Sequence, residues 1–129
     1  MSDDCADLRQ LNQDTFDAEA KKKIGNDDWD EFLRKVLADE FIIRRSNRTI
    51  PNQNREEMID WIEKGPTAER NLAEVMAWCN ETVGMVTCSV TINDSEGKPQ
   101  RYQNIKVFQK QLQGNWQCLF WHVTKAPAQ

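Results

Sequence analysis

A chain of 129 residues with five tryptophans, five phenylalanines and a net charge of −4 has enough apolar side chain for one domain with a core. Charged residues make up 29% of it, so it reads as a soluble, mildly acidic domain spanning residues 1–129. The absence of a basic excess speaks against a nucleic-acid partner or an acidic membrane surface. Residues 1–40 hold twelve acids and six bases, and such a bias suits the solvated outer face of helices.

The pattern Cys5, Leu8, Leu11, Phe16, Ala20 and Ile24 keeps to one side of a 3.6-residue period and predicts a helix over residues 3–24. Ser2 caps its start, Gly25 follows its end, and Lys21-Lys22-Lys23 falls in the last turn, where the helix dipole favours cations. Trp29, Phe32, Leu33, Val36 and Leu37 predict a second helix over 28–37. A short strand, Phe41-Ile42-Ile43-Arg44, and a polar turn follow. A third helix spans about 55–63; Asn54 and Glu57 have capping-box spacing at its start, and Gly65-Pro66 ends it.

Beyond residue 68 the pattern becomes alternating. Residues 69–79, 82–92, 101–112 and 115–124 read as four long antiparallel strands in a meander, with Gly114-Asn115 as a two-residue hairpin link. Long strands twist and coil, so helices packed across one face leave a cavity at the wide end. The last strand carries large apolar groups on both faces: Trp116, Cys118, Phe120 and His122 on one, Leu119, Trp121 and Val123 on the other. Two apolar faces imply two burials, one against the helices and one in a homodimer interface through the sheet.

Three stretches carry a family likeness. They are Leu37 to Ser46 with the capped helix opening Arg55-Glu56-Glu57-Met58; Val83 to Val90; and Tyr102 to Phe108 followed by Gly114-Asn115-Trp116-Gln117 and Trp121-His122-Val123. Together with the element order they resemble the nuclear transport factor 2-like superfamily, above all its small SnoaL-like and ketosteroid-isomerase-like members. The resemblance implies an α+β, cone-shaped fold: N-terminal helices on a strongly curved antiparallel sheet, with a deep pocket between them and frequent dimers through the sheet. It implies no single activity, since isomerases, dehydratases, cyclases, binding domains and assembly domains share the fold.

The pocket candidates are Arg45, Trp61, Trp78, Asn104, Phe120 and His122. Arg44 and Arg45 point to opposite faces of a strand, and one of them can meet a carboxylate. Asn104 interrupts an apolar stretch, and the tryptophans offer core or platform surface. His122 shares parity with Phe120 and Cys118, and it is the catalytic candidate if the protein is an enzyme. No acid/base pair matches the isomerase set residue by residue; Glu74 is the only acid inside a predicted long strand. A small-molecule-binding domain with an apolar, aromatic-lined pocket is therefore the leading expectation. The alternatives are an isomerase, dehydratase or cyclase acting by proton transfer on an apolar carbonyl compound, and a dimeric assembly module.

No cofactor and no metal are expected, because one histidine and four scattered cysteines, Cys5, Cys79, Cys88 and Cys118, form no ligand cluster. Without a signal peptide or a membrane-spanning run, a cytoplasmic location is expected, with all four cysteines as free thiols.

Overall fold

A computed structural model describes residues 4–21, 28–65 and 68–126. Helix α1 runs Asp4–Lys21, α2 Trp29–Val36 and α3 Arg55–Lys64. The strands are β1 (Leu37–Arg45), β2 (Gln53–Asn54), β3 (Asn71–Cys79), β4 (Val83–Asn93), β5 (Pro99–Lys110) and β6 (Trp116–Lys125). They form one six-stranded sheet in the order β2-β1-β6-β5-β4-β3. All pairings are antiparallel except β1 on β6, which is parallel. This is the expected α+β arrangement of helices on a curved sheet. The expected cap Ser2 and the segment containing Lys22, Lys23 and Gly25 lie outside the described residues.

Local chemistry explains the elements. In α2, Leu33 and Val36 are buried, with acids in the first turn and bases in the last. At α3 the Asn54 side chain accepts from the Glu57 N–H, and the Glu57 side chain accepts from the Asn54 N–H, closing the capping box. The β5–β6 link is longer than the expected two residues. It spans residues 111–115, with Gln111 N–H donating to Asn115 O and Gly114 at φ +96°.

The core lies between the sheet and the helices, with Leu8, Leu33, Phe41, Met58, Val86, Phe108 and Trp121 at its centre. Gly84 on β4 lets α1 approach: a Cβ there would collide with the Leu8 side chain. A disulfide joins Cys5, in the first turn of α1, to Cys79, at the end of β3. This corrects the expectation of four free thiols. The two cysteines are 74 positions apart, and only the docking of α1 across β3 brings their Cα atoms to 5.8 Å. Cys88 and Cys118 are buried free thiols. No described helix is long and apolar enough to cross a membrane.

Candidate functional site

A cavity of about 290 Å³ opens between the inner face of the sheet and the helices. Phe16 from α1 and Trp121 from β6 close its buried end, with ring centroids 5.2 Å apart and planes near perpendicular. Ile43, Val90, Ile92 and Val123 supply apolar wall. Trp61 from α3 and the Ser46-Asn47 turn stand at the exposed rim.

The polar groups are few and unequal in charge. Among the described residues, Arg45, Arg70 and Lys125 line the cavity with a single carboxylate, Glu19. Arg70 Nη2 donates to Glu19 Oε1 at 2.9 Å, with side chains only 13% and 15% exposed. Glu19 Oε2 is buried without a hydrogen-bond partner among the described residues. Arg45 stacks over Trp61, 5.4 Å from the ring centroid, and donates to Gln53 Oε1 at 2.8 Å. Burial lowers the Arg45 pKa below its ordinary value; Glu19 opposes that shift, and the like charge of Arg70 adds to it. Trp121 Nε1 donates to Asn104 Oδ1 at 2.7 Å. Tyr102 also lines the cavity.

Three of the six sequence candidates, Arg45, Trp61 and Asn104, come together here. Trp78, Phe120 and His122 do not. The cause for the latter two is a β-bulge. Val107 pairs with Phe120 while its neighbour Phe108 pairs with Cys118, leaving Leu119 without an opposite residue. Trp116 and Cys118 point inward. After the bulge the parity reverses, so Trp121 and Val123 face the cavity and Phe120 and His122 face out. Phe120 and His122 do point the same way, as alternation requires, with rings stacked 6.1 Å apart on the outer face. Trp78 is 47% exposed near the end of β3. Glu74 lies at an irregularity of β3 with φ 54°, exposed and away from the cavity.

Sequence reasoning passed over Glu19, Arg70 and Lys106. Lys106 is only 1% exposed and points inward from the middle of β5. Its Nζ donates to Asn12 Oδ1 at 2.8 Å and to Thr15 Oγ1 at 2.6 Å. It also sits 3.6 Å from the Phe16 ring centroid and 4.0 Å from that of Trp121. The signal was available: Lys106 shares strand parity with Asn104 and Phe108. Glu19 and Arg70 gave none, since nothing local shows that a helix acid and a pre-strand arginine meet.

The outer face of the sheet is a second feature. Trp78 pairs with Met85, Met85 with Val107, Val107 with Phe120, and Phe120 with Ile42. These five side chains form one apolar row across β3, β4, β5, β6 and β1. Ala73, Ser89, Gln103 and Thr124 make a parallel, more polar row toward one edge.

Comparison with solved structures finds the same architecture over nearly the whole chain. A ketosteroid isomerase-like protein from Erwinia carotovora atroseptica matches at 14% identity and TM-score 0.72, covering 99% of this chain and 100% of that one. An NTF2-like protein from Cytophaga hutchinsonii matches at 13% identity and TM-score 0.77, covering 98% and 100%. The chain has the nuclear transport factor 2-like fold. The S. rosetta CaMKII hub shares this fold with it at 13% identity and TM-score 0.79, covering 98% of this chain and 99% of that one. No family model and no curated protein matches the sequence. At these identities the likeness establishes the nuclear transport factor 2-like fold alone.

Proposed function

We propose that this protein binds a small organic anion in the cavity, a carboxylate on a compact apolar or aromatic body. The observation that carries the reading is the charge imbalance: among the described residues, Arg45 and Arg70 line an otherwise largely apolar cavity with Glu19 as the one counter-charge. A guanidinium keeps its charge in such surroundings and presents donors in a fork that suits a carboxylate. The aromatic buried end suits an apolar body. The volume is at the small end of the usual range, which favours a compact ligand. The unpartnered Glu19 Oε2 adds a place for one ligand hydrogen-bond donor.

Proton-transfer catalysis through His122 finds less support, because that side chain lies on the other face of the sheet. Glu19 is held by Arg70 at 2.9 Å, which suits it to a binding role. The test uses phenylacetate as probe. Its binding, read by thermal stabilisation, should weaken about ten- to a hundred-fold in Arg45→Met, the loss of a charge-assisted hydrogen bond. Unchanged affinity in that variant and in Arg70→Met would remove the basis of the proposal.

The outer apolar row supports a second, compatible reading: self-association through the sheet. A continuous strip of Trp78, Met85, Val107, Phe120 and Ile42 beside more polar positions has the composition of an interface core and rim. The likeness to a protein named a CaMKII hub agrees with it. The interface would use Phe120 and His122 rather than Trp121 and Val123. Phe120→Glu places a charge in the middle of the row and should yield monomers by sedimentation velocity. A wild-type protein that is already monomeric at micromolar concentration would refute this reading.

A further inference from the structure

We propose that Lys106, sealed beneath the buried end of the cavity, is a positioning residue for ligand: it clamps the Trp121 indole and so fixes Asn104 as a hydrogen-bond donor to the cavity. The proposal rests on the reading of the cavity as an anion site, and its ligand-free test below stands apart from that reading.

Stability alone does not account for a lysine at this place. Taking an ammonium out of water costs several kcal/mol, roughly, and an apolar side chain of similar volume often serves a core as well or better. The charge here has a defined arrangement instead. Asn12 Oδ1 and Thr15 Oγ1 on α1 accept from Nζ on one side. On the other, Nζ lies against both Phe16 and Trp121, the two rings that close the cavity. An ammonium attracts the faces of aromatic rings, most strongly when desolvated. It therefore holds the two rings in the edge-to-face pose that seals the buried end.

The next link is the indole N–H. An indole nitrogen donates and cannot accept, so its partner at 2.7 Å on Asn104 is the carbonyl oxygen. That assignment settles the orientation of the whole amide. With Oδ1 taken by Trp121, the NH2 group of Asn104, itself part of the cavity lining, is left as the donor for a ligand acceptor. The order of control is Lys106, then Trp121, then Asn104. It gives the buried end of the cavity a donor to complement the guanidinium of Arg45, so a ligand with a second acceptor, such as a keto or ether oxygen, gains most.

The titratable groups facing Lys106 are Cys118 from β6, Cys88 from β4 and Glu19 from α1. Burial outweighs their pull and lowers the Lys106 pKa from 10.5 to about 8. The clamp is thus charged at neutral pH and is lost as pH rises through that value. Cys118 and Cys88 do not confuse the window, because burial raises both of their pKa values.

The experiment is an NMR pH titration of the 15N-labelled full chain, followed on the Trp121 indole N–H and the Asn104 side-chain NH2. Both signals should move together with a midpoint near 8 in the wild type, without any ligand. In Lys106→Met, and in Lys106→Gln should the first fold poorly, that transition should be absent. In parallel, phenylpyruvate, which carries a keto oxygen beside its carboxylate, should bind about ten-fold more weakly to the variant at neutral pH, the loss of one hydrogen bond. Its affinity for the wild type should fall above the same midpoint. Indole and amide signals that stay still across the transition, or that titrate alike in the variant, would overturn the clamp. If phenylpyruvate binds neither protein, the anion-site reading fails, and the ligand-free titration alone decides whether Lys106 orients Trp121 and Asn104.

Discussion

Replacing Cys5 by serine removes the one covalent tie between α1 and the sheet. The closed loop runs from Cys5 to Cys79, a separation of 74 residues. Cross-linking a loop of that length takes about 4.5 kcal/mol of conformational entropy out of the unfolded chain. Unfolding entropy for a chain of this length is roughly 0.27 kcal/mol per kelvin near the transition. The ratio gives a loss of about 17 °C in Tm, and residual structure in the unfolded chain reduces it to roughly 10–17 °C. The assay is thermal unfolding by circular dichroism with and without reductant, on the wild type, Cys5→Ser and Cys79→Ser. Each variant should unfold like the reduced wild type and ignore reductant. Thiol titration of the denatured, unreduced wild type should find two reactive thiols, those of Cys88 and Cys118. Four thiols, or a Tm that reductant leaves in place, would refute the link and the stabilisation derived from it.

Two further outcomes follow from the core. Gly84→Ala drives a methyl into Leu8 and should cost about 1–3 kcal/mol in denaturant unfolding; Leu8→Ala in that background should cost less than it does alone, and additive effects would show that the two side chains do not meet. Between pH 8 and 10.5 the unfolded chain holds a proton on Lys106 that the folded chain has lost, so stability rises with pH there. Cys118, raised from 9 to about 12, acts in the opposite sense: its unfolded thiol ionises first, and stability falls above pH 9. The net gain is therefore confined to the interval between pH 8 and pH 9, and Lys106→Met should abolish it in denaturant melts at successive pH values.

The architecture was largely legible because its signals are local. The apolar spacing of α2, the Asn54–Glu57 box of α3 and the alternation of β3 to β6 each depend on neighbours in sequence. The two-residue β2 escaped notice, since Gln53-Asn54 has no strand pattern of its own and exists through its pairing with Ile42 and Ile43. The site was half legible. Arg45 and Asn104 carry their placement in their parity, whereas Phe120 and His122 were misplaced by a single unpaired residue, Leu119. A bulge is set by how β5 and β6 fit together, and no pattern within β6 shows it. The Glu19–Arg70 pair and the Cys5–Cys79 link join residues 51 and 74 positions apart and exist only once α1 has docked.

The anion-site account is tested most directly by calorimetric titration of the wild type with two probes of nearly equal shape, phenylacetate and its neutral amide, phenylacetamide. Arg45 and Arg70 give the acid its advantage, so it should bind at least about ten-fold more tightly than the amide, with the gap narrowing as salt is added. Equal binding of the two, or a preference for the amide, would contradict the account.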